Sequence, residues 1–120
     1  MTVQRLHIGK RLSEAAIFNQ TIYLAGQVAN DISLDIVGQT KQVLAAIDKL
    51  LAEAGSDKTN LLQVTIFIAD MKDFPGMNAV WDEWVVQGAT PPRATVEAKL
   101  AKPEWRVEMV VVAAKTNAGK

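Results

Sequence analysis

The chain has 120 residues, in which 13 basic side chains balance 13 acidic ones and 49% of the residues are hydrophobic. This composition indicates a globular protein, and it argues against disorder and against binding to a nucleic-acid backbone, which usually shows a basic footprint. The absence of cysteine excludes disulfides, thiolate nucleophiles and zinc–thiolate clusters.

The first ten residues, "MTVQRLHIGK", contain no apolar run of the length found in signal peptides. No other stretch is apolar over a length that spans a bilayer. We therefore expect a cytoplasmic protein without a membrane partner. Glycine and proline are scattered and mark no linker or repeat, so residues 1–120 are predicted to form a single domain.

A β-hairpin is predicted in the first third of the chain. The segments "EAAIF" and "TIYLAGQV" read as short strands, and they flank Asn19 and Gln20. Asparagine is a favoured turn residue, although Asn-Gln is a weaker signal than Asn-Gly.

A helix is predicted over "DIVGQTKQVLAAIDKLLAEAG". Its apolar residues recur at helical spacing, and Gly55 is a good residue to end it. The repeating positions include Val43, Ile47, Leu50 and Ala54. The next segment, "LLQVTIFIAD", alternates like a strand and is predicted to bury Leu62, Val64, Ile66 and Ile68 on one face.

A second helix is predicted over "FPGMNAVWDEWVVQ". Asp73 is placed to cap it, Pro75 fits its first turn and Gly88 follows its end. Its inner stripe is predicted to consist of Met77, Val80, Trp81, Trp84 and Val85.

Two strands complete the pattern, from Arg93 to Leu100 and from Trp105 to Ala114, with Pro103 in their connection. The order of elements predicts an α+β fold, a mixed β-sheet with two helices packed on one face. In the last strand Val107 and the residues alternating with it fit under the helices, yet the opposite set also includes Val110 and Val112. An uncovered face should be more polar, so we expect this face to bind another copy of the chain.

The stretch "PPRATVEAKL" places an arginine at the start of a strand. Alternation puts Arg93 and Thr95 on one face, and the apolar set that includes Ala94 and Val96 is assigned to the helix side. Arg93 is then predicted to point toward the subunit interface. A charge there needs a partner, either an ion pair with a glutamate (Glu97 or Glu108) or a substrate carboxylate held by the bidentate guanidinium.

Four segments carry a resemblance to a known family: "AGQVA", "TIFIADMKDFPGMNAVWDEW", "PPRATVEAKL" and "VEMVVVAA". Together they resemble the RidA/YjgF family, also described as endoribonuclease L-PSP-like, and within it the YoaB-like branch. The likeness extends from about Phe18 to Ala114. It implies a chorismate-mutase-like fold and a homotrimer with ligand clefts between adjacent subunits.

The resemblance further implies hydrolysis of reactive enamines and imines, such as 2-aminoacrylate, to 2-keto acids and ammonia, without metal or cofactor. Arg93 matches the residue that holds the substrate carboxylate, and Glu108 matches the glutamate that positions or activates water. Further substrate-binding candidates are Ala25, Gly26, Asn78 and Thr95. The partners expected are a small carboxylate substrate and other copies of the chain, without nucleic acid.

This chain departs from the family pattern in the wall of the implied cleft. The deaminase branch usually has a tyrosine near the position of Leu12 and Ser13, serine at Ala25 and often cysteine at Thr95. These differences leave a second function open, in which a non-catalytic trimer binds a small carboxylate or keto acid. Ribonuclease activity is less favoured, because the charge is neutral and His7 is the only histidine.

Three other residues are candidates for a functional role: His7, Trp81 and Trp84. His7 is a lone histidine in a predicted edge strand, with no cluster that supports catalysis or a metal site. Trp81 and Trp84 are three residues apart on the second helix, which favours core packing, and the alternative is that one of them borders the cleft.

Overall fold

The structure, a computed structural model, describes residues 2–116. Within them the chain forms six β-strands, two α-helices and two single-turn 3-10 helices. In chain order the principal elements are β1 (Gln4–Ile8), β2 (Ser13–Phe18), β3 (Thr21–Leu24), α1 (Ile36–Ala54), β4 (Leu61–Ile68), α2 (Phe74–Trp84), β5 (Arg93–Glu97) and β6 (Val107–Ala114). None of the helices in this part of the chain is long and apolar enough to cross a membrane.

The strands form one mixed sheet in the order β1-β2-β3-β6-β4-β5. All neighbouring strands are antiparallel except β4 and β5, which run parallel and are joined through α2. Both helices pack on the same face of the sheet, and the predicted α+β architecture is confirmed.

The predicted hairpin is confirmed, with Asn19 and Gln20 as its turn between β2 and β3. Asn19 has a φ of 57°, in the left-handed region that asparagine tolerates better than most residues. Phe18 pairs with Thr21, so the two-residue turn fixes the register of the hairpin.

Helix α1 begins and ends where its sequence signals place it. The Asp35 side chain accepts a hydrogen bond from the Gly38 N–H, which satisfies one free donor of the first turn. Gly55 ends the helix with a φ of 88°, which is costly for a residue with a Cβ atom. The buried side of α1 includes Val43, Ile47, Leu50 and Ala54, as predicted.

The hydrophobic core lies between the helices and the sheet. Residues Val107, Met109, Val111 and Ala113 of β6 are buried there, as predicted. In β4 the prediction was wrong at Leu62, which is 47% exposed, while Leu61 is buried. The pairing of β4 with β6 shifts between Leu61 and Gln63, and this irregularity inserts one residue and reverses the face at that point.

Helix α2 is shorter than predicted, because Val85 is extended and Gly88 lies in a separate turn after the helix. Asp73 precedes α2, but its carboxylate does not cap the helix. Its Oδ2 lies 3.1 Å from Nη1 of Arg106, with which it forms an ion pair. The inner stripe predicted for α2 is otherwise buried, apart from the partly exposed Trp84.

Strand β5 is also shorter than predicted, and its faces are reversed. Arg93 pairs with Val64 and Thr95 pairs with Ile66, and both β4 residues are fully buried under the helices. Paired residues of neighbouring strands point to the same face, so Arg93 and Thr95 face the helices. The prediction that Ala94 and its alternating neighbours lie under the helices was therefore wrong.

Candidate functional site

Arg93 lies at the edge of the sheet beside α2. Its guanidinium carbon is 5.1 Å from the centroid of the Trp81 ring and 5.9 Å from that of Phe74, within the range of cation–π interactions. Phe74, Asn78 and Trp81 are spaced i, i+4 and i+7, so they form one stripe of α2. The parallel pairing of β5 with β4 places Arg93 against this stripe.

The Arg93 guanidinium is partly withdrawn from water and forms no ion pair within residues 2–116. Burial lowers the pKa of Arg93, and the carboxylate of Asp82 opposes that shift. The two intramolecular ion pairs considered from the sequence are not formed: Glu97 accepts a hydrogen bond from the Met71 N–H at 2.8 Å, and Glu108 lies on the other face of the sheet. A partly desolvated cation without a carboxylate partner is suited to bind an anion.

Two buried polar atoms lie on the arginine's side of the sheet. One belongs to β5, the strand of Arg93, and the other belongs to the stripe of α2 that faces Arg93. The Oγ1 atom of Thr95 and the Oδ1 atom of Asn78 are buried and have no hydrogen-bond partner in the described part of the chain. Buried polar groups are normally paired, and an unpaired one marks a place for a ligand or water. We call Arg93, Thr95 and Asn78 the arginine side of the candidate site.

Glu108 belongs to the opposite face of the sheet. Its neighbours Val107 and Met109 are buried under the helices, and strand alternation therefore turns Glu108 away from them. A Cβ atom built on Gly26 would lie 1.9 Å from Oε2 of Glu108 and 2.9 Å from its Cδ. The glutamate side chain thus lies directly over Gly26, and only glycine permits this approach.

The segment at Gly26 is fixed by hydrogen bonds on both sides. Ala25 donates its N–H to the Glu14 carbonyl at 2.9 Å, and its own carbonyl accepts from the Gln27 side chain at 3.1 Å. Gln27 and Met109 exchange backbone hydrogen bonds of 2.8 and 3.1 Å. The Gly26 N–H has no partner within residues 2–116. We call Glu108, Gly26 and Ala25 the glutamate side.

The two sides of the candidate site do not meet within one chain. Arg93 faces the helices from the edge strand β5, whereas Glu108 faces away from them on β6, with β4 between the two strands. The prediction that Arg93 lies on the sheet face opposite the helices, the face that carries Glu108, was therefore wrong. Alternation groups the residues of a strand correctly, but it does not say which group faces the core.

The sheet face opposite the helices is mostly apolar, and neither helix of residues 2–116 covers it. We call it the open face. Its large exposed side chains are Phe18 and Tyr23 of the hairpin and Val96 of β5, and its centre holds the half-buried Val110 and Val112. A contiguous apolar surface of this kind marks a protein–protein contact.

The aromatic residues of α2 have different surroundings. Trp81 is 6% exposed and packs against Trp84, with ring centroids 5.5 Å apart. Trp84 donates its indole N–H to Asp48 of α1 at 3.0 Å. Both rings pack against the hydrophobic core, Trp84 only partly buried, and Trp81 also contacts Arg93. Phe74 is a further neighbour of Arg93 that was not predicted from the sequence, although its helical spacing from Trp81 was a usable signal.

The remaining candidate residues lie away from the arginine side and from the glutamate side of the candidate site. Leu12, near the position of the family tyrosine, is 56% exposed. His7 lies on β1, with Nε2 2.8 Å from Oε2 of Glu53, in a groove of about 530 Å³ that contains none of the predicted site residues. No group of three or more histidines and carboxylates within residues 2–116 is arranged to hold a metal ion.

The chain is similar to known proteins over nearly its full length. The family model described as endoribonuclease L-PSP matches residues 2–115. A RutC family protein of Haemophilus influenzae is 54% identical over 94% of this chain and 98% of its own length. The solved structure of a YjgF family member from Neisseria meningitidis is 47% identical, covers 98% of both chains and superimposes with a TM-score of 0.96.

Of two further relatives, one has a name that states an activity and the other has only a family name. The mouse protein named 2-iminobutanoate/2-iminopropanoate deaminase is 33% identical over 84% of this chain and 78% of its own length. The RutC family protein YoaB of Escherichia coli strain K12 is 44% identical over 95% of this chain and 99% of its own length. On the family model and these relatives together, the chain belongs to the RidA/YjgF family.

Proposed function

We propose that the protein hydrolyses reactive enamines and imines of the 2-aminoacrylate type to 2-keto acids and ammonia. The reaction takes place between two copies of a homotrimer, where the arginine side of one copy meets the glutamate side of the next. One observation carries the proposal: Arg93 is partly desolvated and has no carboxylate partner in the described chain. The names of the deaminase relatives support the reaction class.

The arginine side supplies the binding of the substrate carboxylate. A guanidinium donates two parallel N–H groups to a carboxylate, which fixes the orientation as well as the position of the substrate. The unpaired oxygens of Thr95 and Asn78 then find partners in the substrate or in a water bound with it. This arrangement explains why buried polar atoms lie beside an unpaired cation.

The glutamate side supplies the positioning of water and the transfer of protons. An enamine first gains a proton at its β carbon and loses one from its nitrogen, which gives the imine. Water then adds across the C=N bond, its oxygen to the carbon and one proton to the nitrogen, and forms a carbinolamine. The hydroxyl proton of the carbinolamine passes to the nitrogen as the C–N bond breaks, which releases ammonia and leaves the 2-keto acid. Glu108 acts as the proton relay, and the free Gly26 N–H donates to an oxygen of the reacting group. The reaction requires no cofactor.

A non-catalytic trimer that binds a small carboxylate or keto acid is the second candidate. The observation that favours it is the exposed Leu12 near the position of the family tyrosine, since the cleft then lacks a phenol that could orient water. Both candidates use Arg93 in the same way. They differ in whether the protein accelerates the hydrolysis of the bound ligand.

The test measures ammonia and keto-acid release from imines that an amino-acid oxidase generates in situ. We expect wild type to exceed the spontaneous rate and Arg93→Ala to lose this acceleration by about 100-fold or more, because the carboxylate is no longer held near the water. Arg5→Ala removes an exposed arginine from β1, at the opposite edge of the sheet, and serves as the matched control.

Size-exclusion chromatography with light scattering accompanies the assay. An Arg93→Ala protein that retains full turnover would exclude the clamp role, and one that is unfolded or monomeric would make Arg93 a structural residue. If a folded wild-type trimer binds pyruvate but does not exceed the spontaneous rate, the binding function is correct instead.

A further inference from the structure

We propose that Trp81, assisted by Phe74, is a positioning residue that holds the Arg93 guanidinium ready for a planar carboxylate. The inference rests on the proposed function of the site and adds the residues that prepare the clamp before the substrate arrives. Both rings belong to α2 and lie within 5.1 and 5.9 Å of the guanidinium carbon. We call them the aromatic support.

The aromatic support replaces the contacts that usually fix an arginine. Within residues 2–116 the Arg93 side chain forms no hydrogen bond and no ion pair, so its position depends on packing and on the two rings. An arginine side chain has many rotamers. Fixing one of them when the ligand binds costs conformational entropy, and this cost weakens the affinity. Contact with two ring faces restricts the guanidinium beforehand and leaves its N–H groups free, which a structural carboxylate would not do.

Trp81 is itself held by a series of contacts that reaches α1. Its ring packs against Trp84 at 5.5 Å between centroids, with the ring planes tilted by 48°. Trp84 is fixed by its hydrogen bond to Asp48 and by Lys58, whose Nζ donates to the Trp84 carbonyl at 2.7 Å and lies 5.1 Å from the ring centroid. The support is therefore built on two helices and does not depend on Arg93 for its own position.

The experiment compares Trp81→Leu, Trp81→Phe and Phe74→Leu with wild type, using pyruvate as the carboxylate probe. We expect Trp81→Leu to raise the Kd for pyruvate and the KM for the imine about tenfold, with kcat nearly unchanged, because a preformed binding contact is lost in ground and transition state alike. Trp81→Phe retains a ring face and should recover most of the affinity. Phe74→Leu removes the more distant ring and should raise both constants about threefold.

Trp105→Leu is the matched control. Trp105 also has a cation near its ring, since Nζ of Lys102 lies 5.2 Å from the centroid, but it belongs to the connection after β5, and its neighbouring cation is Lys102. This variant should bind pyruvate as wild type does. An equal loss of affinity in Trp105→Leu and Trp81→Leu would overturn the inference, because it would show a general effect of removing an indole.

A readout that does not depend on turnover separates this inference from the proposed function. The Nε–Hε group of Arg93 is followed by ¹⁵N NMR, and we expect Trp81→Leu to move its resonance, increase its mobility and speed its exchange with water. An unchanged Arg93 signal in a folded Trp81→Leu protein overturns the inference. If Trp81→Leu does not fold, the same comparison in Phe74→Leu decides. A wild-type protein that neither binds pyruvate nor hydrolyses imines refutes the proposed function, and the Arg93 signal still decides the role of the aromatic support.

Discussion

At the scale of single residues, a methyl group added at Gly26 would project into the candidate site. A Cβ atom there would overlap Oε2 of Glu108 at 1.9 Å, and the flexible glutamate side chain must move to avoid it. We expect Gly26→Ala to lower kcat for imine hydrolysis about tenfold to 100-fold, with a smaller effect on pyruvate affinity, because Arg93 is untouched.

A double-mutant cycle distinguishes this mechanism from general damage to the fold. Glu108→Gln removes the proton relay, so adding Gly26→Ala to that variant should cause little further loss of kcat. Losses that simply multiply would show that Gly26 acts independently of Glu108. Thermal unfolding of each variant, followed by circular dichroism, checks that the fold is retained.

The residues of the site could be predicted from the sequence more readily than the sheet face on which each side chain lies. The resemblance to relatives supplied Arg93 and Glu108, and alternation grouped Arg93 with Thr95 correctly. The face was assigned wrongly because Ala94 and its apolar neighbours read as core, whereas they belong to the apolar open face. The contact of Arg93 with Trp81 depends on the parallel pairing of β5 with β4, which is non-local and leaves no local signal.

At the scale of elements, Gln39 connects the start of α1 to the segment before β6. Its side chain is fully buried, donates to the carbonyls of Leu34 and Glu104 at 3.1 and 3.0 Å, and accepts from the Arg106 N–H at 2.9 Å. We expect Gln39→Leu to lower the free energy of unfolding by about 2–4 kcal/mol, because three backbone groups lose the hydrogen bonds that this buried side chain provides.

Gln42→Leu is the control for this change. Gln42 also accepts a hydrogen bond from a loop, the Asp31 N–H at 2.9 Å, but it is only half-buried, and water can replace it. Its loss should stay below about 1 kcal/mol. Urea unfolding at one fixed protein concentration, followed by tryptophan fluorescence, measures both values. Similar losses in the two variants would show that the three contacts of Gln39 add nothing.

The elements themselves were predictable to different degrees. Helix α1 was placed correctly because its apolar period is long and Asp35 and Gly55 mark its ends. The end of α2 was placed too late, since no residue between Val85 and Gln87 is a helix breaker, yet the backbone is already extended at Val85. The irregularity at Leu62 depends on pairing with β6 and could not be read from β4 alone.

At the scale of the whole molecule, the open face and the divided site lead to the same conclusion. The apolar residues of β6 on that face were enough to predict self-association from the sequence, because two helices cannot cover both faces of a sheet. The structure adds a functional reason. Arg93 and Glu108 lie on opposite faces of one chain, so the proposed function requires a second copy to bring an arginine side and a glutamate side to the same ligand.

Mixing two inactive variants tests this proposal directly. Arg93→Ala retains the glutamate side and Glu108→Gln retains the arginine side, so neither homotrimer contains a complete site. After the two are dissociated and reassembled together in equal amounts, about one quarter of the intersubunit sites should combine an intact Arg93 with an intact Glu108. Ammonia release should then return to about one quarter of the wild-type rate. Each variant treated alone should stay inactive, which controls for refolding. If mixed trimers form, as mass spectrometry with one isotope-labelled variant would show, yet no activity returns, then both residues are needed from the same chain and the intersubunit site is wrong.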